Sequence, residues 1–132
     1  MIALGRRTFL VGAAALAVGT QGRAAAVEDE EMFGLIGKMR ATPGQRDALI
    51  AILLEGTGGM PGCLSYIVAR DPTDADAIWI TEVWDSRESH SASLQLPQVR
   101  AAIARARPIV AGFDDGHETV PVGGIGLAGR NS

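Results

Sequence analysis

The 132-residue chain carries twelve basic and fifteen acidic residues, and three of the basic ones, Arg6, Arg7 and Arg23, fall in the first 26 positions. The remainder therefore holds nine basic against fifteen acidic residues, a net charge of −6. With Lys38 its sole lysine, it lacks the clustered cations that a nucleic-acid backbone or a basic membrane-binding face requires. The single Cys63 forms no intramolecular disulfide, so stability must come from packing, and the thiol reads as a small buried apolar group.

Gly5-Arg6-Arg7-Thr8-Phe9-Leu10 resembles the twin-arginine export consensus and leads into an apolar run, Phe9 to Val18. That run is too short to cross a bilayer, which takes ~20 residues. Ala24-Ala25-Ala26 supplies the small residues of a cleavage site before the acidic start Val27-Glu28-Asp29-Glu30-Glu31. The expectation is a signal peptide over residues 1–26, an acidic linker over 27–31, and a mature protein that is periplasmic or secreted. Cleavage after Ala26 leaves 106 residues, enough for one hydrophobic core. Such a signal gives a compartment and no chemistry.

In the mature part, Met32 to Arg40 reads as a largely buried strand. Thr42-Pro43-Gly44-Gln45 then reads as a helix start, with Thr42 as cap, Pro43 in the first turn and Gln45 closing a capping box. Ala48, Leu49, Ile52 and Leu53 form its apolar stripe, and Gly56, Gly58 and Gly59 end it. Cys63 to Arg70 and Ile78 to Trp84 have strand composition, and the turn residues Asp71-Pro72-Thr73-Asp74 between them predict a hairpin. Asp85 with Glu88 predicts the cap of a second helix. Pro97 starts a further helical stretch with a buried stripe of Val99, Ala102, Ile103 and Ala106, ended by Pro108. A last strand runs from about Phe113 to Val120.

The order β-α-β-β-α-β over residues 32–121 predicts an α+β, ferredoxin-like sandwich with helices on one face of a sheet. Strands apolar on both sides, such as Met32 to Met39 and Ile78 to Trp84, predict that a second subunit covers the other face.

Several motifs fail on context. Gly124-Ile125-Gly126-Leu127-Ala128-Gly129 matches a dinucleotide fingerprint, but the chain stops three residues later, with no helix to receive a pyrophosphate. A flexible glycine-rich tail over residues 122–132 is expected instead. Asp71 to Glu82 has the span of a calcium loop, yet Ala75 and Asp76 occupy the positions needing a ligand and a glycine. His90, His117 and Cys63 are too few and scattered for a zinc site, and no serine sits in a nucleophile elbow.

What carries chemistry is Glu82-Val83-Trp84-Asp85-Ser86-Arg87-Glu88-Ser89-His90, running from strand into helix. Alternation puts Ile78, Ile80, Glu82 and Trp84 on one face and Trp79, Thr81 and Val83 on the other. His90, early in the helix, can return its imidazole toward Trp84 and Glu82. A buried Glu82 needs a partner. Its bland reading is a hydrogen bond inside the fold, and that of His90 is a solvated helix residue.

At these residues the chain resembles the antibiotic biosynthesis monooxygenase domain family, in its quinol-monooxygenase-like branch, from about Met32 to Phe113. The resemblance rests on Pro43-Gly44 before the first helix, Pro61-Gly62-Cys63-Leu64-Ser65-Tyr66 entering the second strand, and Glu82-Val83-Trp84-Asp85-Ser86 entering the second helix. It implies a dimeric α+β barrel with a pocket between sheet and helices in each subunit. Members include enzymes that oxygenate quinols or polycyclic phenols with O2 and no metal or flavin, and others that bind and degrade haem. Ser93 stands where the family often has a histidine, with His90 one turn earlier. Haem-degrading members pair the strand tryptophan, matched by Trp84, with a first-strand asparagine, and Met32 to Arg40 contains none.

The expectation is a cofactor-independent monooxygenase acting on a quinol or similar phenol, with O2 as co-substrate and no metal. His90 and Glu82 are its catalytic candidates, and Trp84 and Tyr66 its substrate-binding candidates. A non-catalytic homodimeric binder of a small hydrophobic ligand, and a haem-binding or haem-degrading protein, are the alternatives. Expressed with its leader in a bacterium possessing the twin-arginine route, the chain is expected to yield an exported product whose intact mass begins at Val27. Replacing Arg6 and Arg7 by lysine is expected to hold the unprocessed chain inside the cell.

Overall fold

The computed structural model describes residues 31–127; the expected signal peptide, nearly all of the acidic linker and the end of the expected tail lie outside the described residues. In chain order the elements are β1 (Phe33–Ala41), α1 (Arg46–Gly56), β2 (Cys63–Arg70), β3 (Ala77–Trp84), α2 (Arg87–Ser93), α3 (Pro97–Ala106), a 3-10 turn (Arg107–Ile109) and β4 (Val110–Thr119). The strands form one sheet in the order β2-β3-β1-β4, with every pair antiparallel. This is the expected ferredoxin-like α+β arrangement, with the second helical region divided into α2 and α3.

Pairing register decides which side chains meet the helices. Phe33 lies opposite Trp84, Leu35 opposite Glu82 and Met39 opposite Ile78, while β2 sets Tyr66 opposite Glu82 and Val68 opposite Ile80. Because side chains alternate along a strand, all of these share one face. There Ile78 and Ile80 pack with Ala41, Leu49 and Ile52, and with Ala102 and Ala106 of α3. Leu49 and Ile78 are wholly buried, and each contributes about 2 kcal/mol through the apolar area it removes from water. A second cluster gathers Phe33, Met60, Trp84 and Val99. A bulge between Cys63 and Ser65 inserts Leu64 and leaves Cys63 opposite Trp84, half-buried against this cluster. The opposite face is mixed: Ile36 and Ile67 are exposed there, beside Lys38, Trp79, Thr81 and His117.

Element ends depart from the sequence reading where non-local contacts intervene. Thr42-Pro43-Gly44-Gln45 does not open the helix. Gln45 N–H donates to the Thr42 carbonyl at 2.9 Å and Gly44 has φ of 80°, a type II turn with Pro43 and Gly44 in the places that turn favours. The helix starts at Arg46 without a side-chain cap. Asp85 is not the cap of α2 either. Its N–H donates to the Gly62 carbonyl at 2.9 Å, and the cap is the next residue, Ser86, whose hydroxyl oxygen accepts from Ser89 N–H at 3.1 Å. Gly62 has φ of 82°, and a Cβ there would come within 2.5 Å of the Ser89 side chain, so only glycine lets this loop lie against α2. Ala48 and Ile103, expected in buried stripes, are exposed, while Gly56 approaches α3 so closely that a Cβ would sit 2.5 Å from that of Ala102. The last strand begins earlier than expected, at Val110.

The β2–β3 hairpin turns on Asp71. Its Oδ1 accepts from the Thr73 and Asp74 N–H groups and the Thr73 hydroxyl, and its Oδ2 accepts from the Trp79 indole at 2.8 Å with Lys38 Nζ 3.5 Å away. These donors, the Thr73 N–H foremost and then the Trp79 indole, hold its carboxyl well below the ordinary value of 3.8. A depressed folded value means that the stabilisation is present above the unfolded value and is lost as pH falls toward the folded one. The thermal unfolding midpoint is therefore expected to fall as pH drops below 3.8, and Asp71→Asn to flatten that dependence, as read by circular dichroism across pH.

Candidate active site

Between the helix-covered face of the sheet and the helices lies a cavity of 610 Å³. The four residues singled out in the sequence, Tyr66, Glu82, Trp84 and His90, all line it. Glu82 and Trp84 face it because they sit two apart on β3. Tyr66 faces it from the neighbouring strand, directly across from Glu82. His90 reaches it from the first turn of α2, whose Ser86 cap and Gly62 contact fix where that turn sits.

The carboxylate of Glu82 is largely buried, and its partner is local: the Trp84 indole N–H donates to Glu82 Oε1 at 2.9 Å. His90 Nε2 stands 3.9 Å from the same oxygen, too far for a hydrogen bond and close enough to pair when the imidazole is protonated. The imidazole packs edge-on to Trp84, with ring centroids 5.4 Å apart at 74°, and lies 5.3 Å from the Phe33 ring. Behind Phe33, the Arg87 guanidinium sits 4.4 Å from the ring centroid and forms a two-bond pair with Glu118. The imidazole thus has aromatic rings on two sides and an acid within pairing distance. Ser93 is buried and donates to the His90 carbonyl at 2.6 Å, closing the short helix.

Tyr66 is pushed well above the ordinary phenol value of 10, first by burial and then by the negative charge of Glu82. Its hydroxyl stays neutral and can donate a hydrogen bond to an anionic ligand oxygen, while Glu82 can only accept when ionised. The cavity therefore offers a donor, an acceptor and a titratable base along one wall, with Met39, Leu53, Met60, Ile80 and Val99 supplying apolar surface.

Sequence reasoning missed Phe33, Arg107 and Phe113. For Phe33 the signal was present, since alternation in β1 places it with Leu35 on the helix side. For Arg107 there was none, because a 3-10 turn after α3 sets its direction. Among the described residues no group of three His, Cys, Asp or Glu is placed to hold a metal ion, and no helix is long and apolar enough to cross a membrane.

Comparison with known proteins agrees with this fold. The family described as antibiotic biosynthesis monooxygenase matches residues 32–105. A provisional antibiotic biosynthesis monooxygenase from Chloroflexus aurantiacus J-10-fl, solved by crystallography, is 74% identical with a TM-score of 0.72, covering 73% of this chain and 98% of its own. A provisional counterpart from Caulobacter crescentus CB15 is 19% identical with a TM-score of 0.65, covering 76% of this chain and 99% of its own, a likeness of fold alone. A Shewanella oneidensis protein shares the fold at 13% identity and a TM-score of 0.61, covering 70% of this chain and 95% of its own. No curated protein matches the sequence.

The chain's single tyrosine makes the electrostatics of the wall measurable. Phenolate absorbance is expected to appear only above pH 10, and Glu82→Gln to move the titration back toward that value, as followed by ultraviolet difference spectroscopy.

Proposed function

The chain belongs to the antibiotic biosynthesis monooxygenase family, and on that premise we propose that it oxidises a quinol or similar phenol with O2 and no further cofactor. The observation that carries this reading is the group of Glu82, Trp84 and His90: an indole-tethered carboxylate 3.9 Å from an imidazole, on the wall of an otherwise largely apolar cavity. A quinol supplies every electron the reaction needs, so the protein has to provide only a base, orientation and a site from which water is excluded.

Transfer of a phenolic proton to His90 gives an electron-rich anion, which Tyr66 stabilises by donating to its oxygen. The anion passes one electron to O2, the resulting superoxide and substrate radical combine at a ring carbon, and the imidazolium returns its proton to the peroxide anion so formed. The hydroperoxide then loses water, leaving one atom of O2 on the ring as a hydroxyquinone and the other in water. Glu82 stabilises the imidazolium that forms while the proton is held, and Trp84 serves as a flat wall for the ring. A second copy of the chain on the open face of the sheet, against Ile36 and Ile67, belongs to the same reading. So does export of the mature protein by the twin-arginine route.

The apolar character of most of the lining favours one alternative, a binder of a small hydrophobic ligand without turnover, which would raise the unfolding temperature by mass action alone. Metal-free protein is expected to consume O2 with a reduced naphthoquinol or benzoquinol faster than the uncatalysed blank. His90→Ala is expected to lower kcat by about 100-fold or more, the usual contribution of a positioned base. No acceleration across a panel of quinols, together with ligand-dependent stabilisation, would transfer the assignment to the binder.

A further inference from the structure

The cavity has a second polar feature at the opposite end of the sheet from Glu82. Glu82 lies across from Leu35 near the start of β1, whereas Val110, three residues beyond Arg107, lies across from Ala41 at its end. Six residues of strand separate the two positions, roughly 20 Å at the rise of an extended chain. Arg107 and Phe113 both line the cavity and both are exposed, so they form its outer part.

The charge pattern sets Arg107 apart. Of the eight lysine and arginine side chains among the described residues, five pair with carboxylates: Lys38 with Asp71, Arg40 with Asp74 and Asp114, Arg70 with Asp47, Arg87 with Glu118 and Arg105 with Glu55. Arg46 reaches backbone carbonyls and Arg100 the Gln95 amide oxygen. Arg107 alone meets no acceptor among the described residues, and among them it is the only lysine or arginine on the cavity wall. In an acidic domain whose other described cations all meet an acceptor, a guanidinium that meets none, on the wall of a largely apolar cavity that Phe113 also lines, is a ready site for a carboxylate on an aromatic molecule, which its fork meets with two parallel hydrogen bonds.

We infer that Arg107 is a specificity-determining residue that selects an elongated aromatic ligand carrying a carboxylate at the end remote from its phenolic hydroxyl. The hydroxyl lies at the Glu82, Tyr66 and His90 end, and the ring system lies along the apolar wall. This rests on reading the cavity as a phenol site.

The test compares a hydroxynaphthoate, with hydroxyl and carboxylate at opposite ends of the ring system, against its methyl ester by calorimetric titration of the mature protein. The native protein is expected to bind the acid more tightly than the ester. Arg107→Gln is expected to weaken the acid by about two- to fivefold and leave the ester unchanged, the scale of a pair near the surface. Arg107→Lys is expected to retain part of the preference. Equal affinity of the native protein for acid and ester, or an equal loss for both in Arg107→Gln, overturns the inference. O2 uptake with a neutral naphthoquinol is measured alongside. Uptake without acid preference removes the role of Arg107 and keeps the oxygenase, whereas an Arg107-dependent acid preference without uptake upholds the role and removes the oxygenase.

Discussion

Side-chain placement in this protein depends on the register in which β3 lies between β1 and β2, since a strand presents alternate residues to opposite faces. With Trp84 against Phe33 and Glu82 against both Leu35 and Tyr66, the acid, the indole and the phenol are all delivered to the helix side. A slip of one residue would turn Glu82 and Trp84 to the open face and bring Thr81 and Val83 inward. Apolar burial specifies the register: Ile78, Ile80 and Trp84 are almost wholly buried, and the slip would expose all three. The core and the candidate site are thus two consequences of one alignment, and neither can be shifted without the other.

The same strand explains how a carboxylate is tolerated in an apolar wall. Glu82 draws its hydrogen bond from the residue two positions along, so no distant element has to be ordered to satisfy it. That arrangement leaves its second oxygen and the nearby imidazole available to whatever occupies the cavity. By contrast, the acid on the other side of the sheet, Asp71, is saturated by donors from its own turn and from Trp79, as suits a group whose work is to hold a hairpin together. Free capacity at one acid and saturation at the other separate a site from a scaffold.

Much of this was legible in the sequence because it is governed by short-range periodicity. The β2 boundaries, Cys63 to Arg70, coincide with the composition reading, and the inward set Ile78, Ile80, Glu82 and Trp84 follows from alternation. What was illegible depends on partners far along the chain. Thr42-Pro43-Gly44-Gln45 satisfies the residue preferences of a helix start and of a type II turn equally, and the Gly44 N–H bond to Asp76 belongs to the turn. Capping preference puts the cap of α2 on Asp85, whereas Asp85 N–H is bonded to the distant Gly62 carbonyl and the cap falls one residue later, on Ser86. The strand β4, rich in Asp, Gly, His and Glu, has little strand character of its own and exists by pairing with β1.

The two indoles of β3 occupy opposite sides of the sheet, each bonded to a different acid: Trp84, buried, to Glu82, and Trp79, half-buried, to Asp71. They are the only tryptophans in the chain. The molecule consequently carries its own pair of optical gauges. With one indole replaced by phenylalanine, the emission of the other reports on the hollow or on the open face alone, so changes on the two sides can be told apart without attaching a dye.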